Sequence, residues 1–193
     1  MILAGSAAAQ IPESGRQREA AALAVRHLQE HPKQFGLSPG DSPVEEEVRI
    51  ERPQFTGDWT AARVTFAGQK HRGVLVEGTS IFISVNLDRR QVYAASGTWR
   101  KVAIDCVPVV EQEEARRRLI GIEAGTVAGL PKLRIAVGDV AKAGQIVVME
   151  DWGPHPADRL AWKILVQREP FSWNAYVDAK TGDVVRLQPL FIE

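Results

Sequence analysis

The chain has 193 residues and a mass of 21.2 kDa, room for one ordinary domain or two small ones. Lysine plus arginine and aspartate plus glutamate number 24 each and are balanced in both halves, which argues against a polyelectrolyte grip on nucleic acid or anionic lipid. Cys106 is the single cysteine, excluding an internal disulfide framework and a cysteine-rich zinc site, and no apolar run approaches the roughly 20 residues that span a bilayer.

Met1 to Gln10 is small and apolar, and Ala7-Ala8-Ala9 before Gln10 has the small-x-small form a signal peptidase accepts. It lacks a basic start and a full apolar stretch, so residues 1–15 read as a secretory signal whose beginning is missing, or as a disordered start. A secreted, periplasmic or cell-envelope location is the expectation. Ala20, Leu23, Ala24 and Leu28 recur at three- and four-residue steps and predict a helix from Arg16 to His31, which Pro32 stops. From Glu46 the period becomes two. Val48 and Ile50, then Ala62, Val64 and Phe66, then Ile81, Ile83 and Val85, then Val92 after an Asp88-Arg89-Arg90 turn predict an antiparallel meander of four strands. The first helix is available to cover its apolar face.

A second helix is predicted over Glu111 to Ile120, with acidic residues in its first turn and Arg116, Arg117 and Arg118 in its last, matching the helix dipole. Glu113 with Arg117 and Glu114 with Arg118 stand in the favourable i,i+4 order. Strands are predicted at Leu133–Val137, Gln145–Met149, Leu160–Gln167, Ser172–Asp178 and Val184–Leu187, joined through glycines. The fold class is therefore α+β, as two consecutive modules of a helix on an antiparallel sheet, residues 16–104 and 105–193.

Two stretches carry a resemblance. Arg63-Val64-Thr65-Phe66-Ala67-Gly68-Gln69-Lys70-His71-Arg72-Gly73-Val74-Leu75-Val76-Glu77-Gly78 resembles the FTP motif of fungalysin and thermolysin propeptides, matching its frame at Gln69, Gly73, Val74, Val76 and Gly78. Leu75 stands where that family usually has Pro, and Glu77 where it usually has an aromatic residue. Leu160-Ala161-Trp162-Lys163-Ile164-Leu165-Val166, followed by Trp173 to Val185, is similar to the final hairpin of PepSY domains. On its own terms Asp178 can accept from the turn's amides, Gly182 can take the positive φ of a bulge, and Trp162, Trp173 and Tyr176 can pack on the sheet.

The order FTP then PepSY resembles the pro-region of secreted thermolysin-like zinc endopeptidases. That resemblance implies a non-catalytic inhibitor and folding chaperone with such a protease as its partner. No His-Glu-x-x-His motif occurs, and no protease domain follows Glu193, so the chain reads as a detached pro-region or a relative acting in trans. The expected protease contact is the tail Leu190, Phe191, Ile192 and Glu193, whose apolar residues suit the cleft implied by the resemblance and whose carboxylate could face the zinc. The loops with Gln69, His71 and Gly73 and with Trp152 and His155 are further expected contacts. The alternative is a stand-alone envelope or extracellular PepSY-type module that binds peptides or proteins without a protease.

Other patterns are set aside. His27-Leu28-Gln29-Glu30-His31 spells the inverted zinc-protease motif, but Pro32 ends the helix at the second histidine, and a solvated helix end is the simpler reading. Asp178 to Asp183 lacks the alternating ligands of a calcium loop and reads as a turn. Cys106 reads as a half-buried inert thiol, and Glu45-Glu46-Glu47 and Arg116-Arg117-Arg118 as solvated surface. No cofactor, metal or catalytic residue is expected, and no nucleotide site.

Overall fold

The computed structural model of the protein describes residues 13–39, 41–51, 59–125, 132–151 and 157–190. The signal-like start, the tail residues Phe191, Ile192 and Glu193, and the loop residues Trp152 and His155 lie outside them. The chain divides into two compact units: Met1–Gly68 with Thr79–Arg100, and Gln69–Gly78 with Lys101–Glu193.

In the first unit, helix α1 (Glu13–Glu30) is followed by a short 3-10 turn at Pro32–Phe35. Strands β1 (Glu45–Glu51) and β2 (Ala61–Phe66) then form an antiparallel pair. The chain leaves this sheet for β3 (Lys70–His71) and β4 (Val74–Val76), then returns as β5 (Ile81–Asn86) and β6 (Gln91–Ser96). The resulting sheet has the order β1-β2-β5-β6, all antiparallel. Its period-two apolar face of Val64, Phe66, Ile81, Ile83 and Val85 is buried against Ala20, Ala24 and Leu28 of α1. The two alanines let helix and sheet approach closely, and each large side chain removed from water there contributes roughly 1.5–3 kcal/mol. Gly36 ends the 3-10 turn at φ 66°, and the Phe35 carbonyl accepts from the Trp99 amide at 2.8 Å.

In the second unit, α2 (Gln112–Leu119) is followed by the short pair β7 (Glu123–Ala124) and β8 (Leu133–Arg134). Three long strands and a last one complete it: β9 (Val140–Asp151), β10 (Ala157–Arg168), β11 (Phe171–Asp178) and β12 (Val184–Leu190). The sheet order is β12-β11-β10-β9-β4-β3. Ala115 and Leu119 of α2 are buried with Ile164, Val166, Trp173, Ala175 and Val177 on one face of this sheet. A strap over residues 101–110 adds Val102, Ile104 and Cys106, which pack with Val76, Val148 and Leu160.

The class is thus α+β, with a helix on a sheet in each unit. The structure departs from a single cut between modules at 104 and 105. Residues 69–78 belong with the second sheet, because β4 pairs in parallel with β9 (Leu75 to Val147, Val76 to Val148) and Val76 is buried there. Residues 101–104 belong with it too, and that sheet is not wholly antiparallel. Arg117 and Arg118 of the arginine run are exposed as expected, but Arg116 is not. Arg116 is mostly covered, its Nε donates to the Ala141 carbonyl at 2.8 Å, and it pairs with Glu113 at i,i+3, the place the sequence had assigned to Arg117. Glu114 and Arg118 do pair at 2.8 Å.

Candidate functional site

The β11–β12 turn is held by Asp178. Its Oδ1 accepts from the amides of Lys180 (2.7 Å) and Thr181 (3.1 Å), and its Oδ2 from Arg159 Nη1 (3.0 Å). Burial raises this carboxyl, but the two amides and Arg159 together outweigh it and hold it below the usual aspartate range. Gly182 takes φ 80°, and its amide donates to the Asp178 carbonyl at 2.9 Å. This turn aims β12 along the edge of the sheet.

β12 pairs with β11 from Val184 to Leu190 and, among the described residues, has no strand on its other side, so it is an edge strand. An edge strand offers backbone donors and acceptors that an extended segment can use. Gln188 and Pro189 are exposed, and Leu190 is 36% exposed at its end. Leu190 is the one residue of the expected tail that the structure describes.

Gln69, His71 and Gly73 lie at the opposite edge of the same sheet, in the β3–β4 hairpin. Arg72 (φ 49°) and Gly73 (φ 84°) form its two-residue loop, which accounts for a glycine there. Gly73 is exposed, whereas Gln69 and His71 are half-buried. His71 is engaged within the unit: its Nε2 is 3.0 Å from the Ile104 carbonyl oxygen, and its own carbonyl faces Cys106 Sγ at 3.6 Å. Lys180 bonds Asp105 at 2.6 Å and also donates to the Val107 carbonyl, fastening the strap. Burial pushes the Cys106 thiol up, away from a reactive thiolate. Five strand spacings separate this edge from β12, about 24 Å. The hairpin and the tail edge are therefore two surfaces, not one.

Between them, on the face turned away from α2, a polar cluster crosses the sheet. Glu77 Oε1 accepts from Lys163 Nζ at 2.6 Å and from the Tyr176 hydroxyl at 3.0 Å, while Tyr176 also reaches Gln188 Oε1 at 3.4 Å. Arg186 lies 5.7 Å from the Tyr176 ring centre and donates to the Glu150 carbonyl at 2.7 Å. Burial above all, then the neighbouring Glu77 carboxylate, holds the Tyr176 phenol above the ordinary tyrosine range. Glu77 Oε2 is buried and has no hydrogen-bond partner among the described residues. The sequence reading missed this cluster; its one signal was a glutamate where the resembling family has an aromatic side chain.

In the first unit the inverted motif is real in register. The His31 amide donates to the His27 carbonyl at 3.0 Å, one residue past the end of α1, and the two imidazole rings lie 4.6 Å apart. Burial first, and then the His31 ring, lower the pKa of His27, against an opposing pull from Glu30. Among the described residues no three His, Cys, Asp or Glu side chains are grouped to hold a metal ion.

No protein-family model and no curated protein matches the chain. Among solved structures it is similar to the C-terminal domain of YpeB from Bacillus megaterium, at 15% identity and a TM-score of 0.45. The match covers 91% of this chain and 66% of that one.

Proposed function

We propose that this chain is a non-catalytic binding protein of the FTP–PepSY pro-region kind, which inhibits a secreted thermolysin-like zinc endopeptidase and assists its folding. The observation that carries the reading is the open β12 edge, which runs through Pro189 to Leu190 toward the apolar tail. A protease that takes its substrates as extended strands can take such a segment through main-chain hydrogen bonds, with Leu190 and the residues after it as anchors. The second part of the FTP-like stretch, β3–β4, also lies in the same sheet as the PepSY-like β10–β12, linked to it through Glu77, Lys163 and Tyr176. The departures at Leu75 and Glu77 are absorbed inside this unit, so they do not count against a propeptide-like surface. Export to the envelope or beyond belongs to the same proposal.

The test is inhibition of a thermolysin-like protease by the full chain and by a chain truncated after Gln188. The expected result is inhibition by the full chain that weakens at least about tenfold on truncation, a difference of about 1.4 kcal/mol in binding. Equal potency removes the tail from the site. Absence of inhibition by either chain overturns the inhibitor reading for that protease and leaves the stand-alone binding module.

A further inference from the structure

Histidines four residues apart on a helix present both rings to one side. His27 and His31 keep that register through the His31 amide bond to the His27 carbonyl, although Pro32 has already ended the helix. Their ring centres stand 4.6 Å apart with the planes at 56°, and the edge-on ring of Phe35, 5.9 Å from His27, backs the pair. His27 Nε2 is buried and has no hydrogen-bond partner among the described residues, while His31 is exposed to solvent. A buried ring nitrogen without a partner carries an uncompensated cost that something must meet.

We propose that His27 and His31 form a two-imidazole chelate for a divalent transition-metal ion such as Zn2+ or Cu2+. Two rings bound at about 2.0–2.1 Å with a tetrahedral angle between them stand roughly 5 Å apart centre to centre, close to the spacing already present. The partnerless Nε2 of His27 supplies one donor and the exposed ring of His31 the other. Two protein ligands leave the remaining positions to water or to a donor from another molecule. The site is thus a half-buried chelate at the end of α1, and it stands independently of the protease reading.

The experiment is titration of the metal-free full chain with Zn2+ alone and with Cu2+ alone, followed by calorimetry, thermal unfolding and electron paramagnetic resonance. The expected result is one ion per chain, with Cu2+ bound more tightly than Zn2+. Saturating Zn2+ raises Tm by about 2–4 °C, and chelator reverses the shift. The Cu2+ spectrum carries two imidazole nitrogens. His31→Gln, at an exposed position, weakens binding at least about tenfold, whereas His71→Gln leaves it unchanged. A chain that shows no Zn2+-dependent shift overturns the proposal. So does binding that survives His31→Gln, or a spectrum with a single imidazole nitrogen.

Discussion

Gly36 and Gly73 both hold a positive φ, yet they differ in what surrounds them. A Cβ at Gly36 would stand 2.0 Å from the Trp99 carbonyl oxygen, whereas one at Gly73 meets nothing within 4 Å. Gly73→Ala therefore costs only the strained backbone, about 1 kcal/mol, and Gly36→Ala costs about 3 kcal/mol or more because the Phe35–Trp99 contact must also open. Urea unfolding of the two variants checks this, and equal losses would contradict it. Asp178 is a different case, because its buried carboxylate answers three donors at once. Asp178→Ala should cost about 2–4 kcal/mol at pH 7. The folded pKa of Asp178 is depressed, so its contribution is complete above the unfolded value of about 4 and is lost as pH falls through the folded one. The variant should accordingly lose less stability than the parent as pH falls below about 4, measured as the fall in urea midpoint.

At the scale of elements, the β3–β4 hairpin is held to the second sheet by few bonds. Two residue pairs join β4 to β9, the Glu77 amide donates to the Val148 carbonyl at 2.8 Å, and the Glu77 side chain reaches Lys163 and Tyr176. Glu77→Ala removes the last of these and leaves the Tyr176 hydroxyl only its longer contact to Gln188. Hydrogen exchange should then speed up at Val76 and Glu77 while the amides that pair β10 with β11 stay protected. Uniform loss of protection across the sheet would contradict a local role. Both helices and the long strands were legible in the sequence because each carries its own period: 3.6 along Ala20, Ala24 and Leu28, and two along Ile81, Ile83 and Val85. The turn chemistry at Asp178 and Gly182 was legible for the same local reason. The placement of β3 and β4 was not. Periodicity tells which face a strand buries but not its partner, and β4 pairs with β9, whose sequence lies some seventy residues on. The Glu77–Lys163–Tyr176 cluster was hidden by the same long-range pairing.

At the scale of the whole molecule, the division into units is not a cut of the chain. A fragment of residues 101–193 keeps α2 and β7–β12 but loses β3 and β4, which leaves β9 as a bare edge and Val76 absent from its buried cluster. Such a fragment should unfold at a lower urea concentration than the second unit in the full chain, and a peptide of residues 69–78 added in excess should recover part of the loss. A fragment as stable as the full chain would contradict the pairing of β4 with β9. The Gln69–Gly73 loop, a further expected contact, lies at the edge of the sheet opposite β12, the strand that ends at Leu190 of the expected tail. The most direct measurement of the proposed function is hydrogen exchange of the full chain alone and with a thermolysin-like protease inactivated at its catalytic base. Slower exchange along Val184–Leu190 in the complex, with the β3–β4 hairpin unchanged, is the predicted result; an exchange pattern at β12 identical with and without the protease would contradict the account.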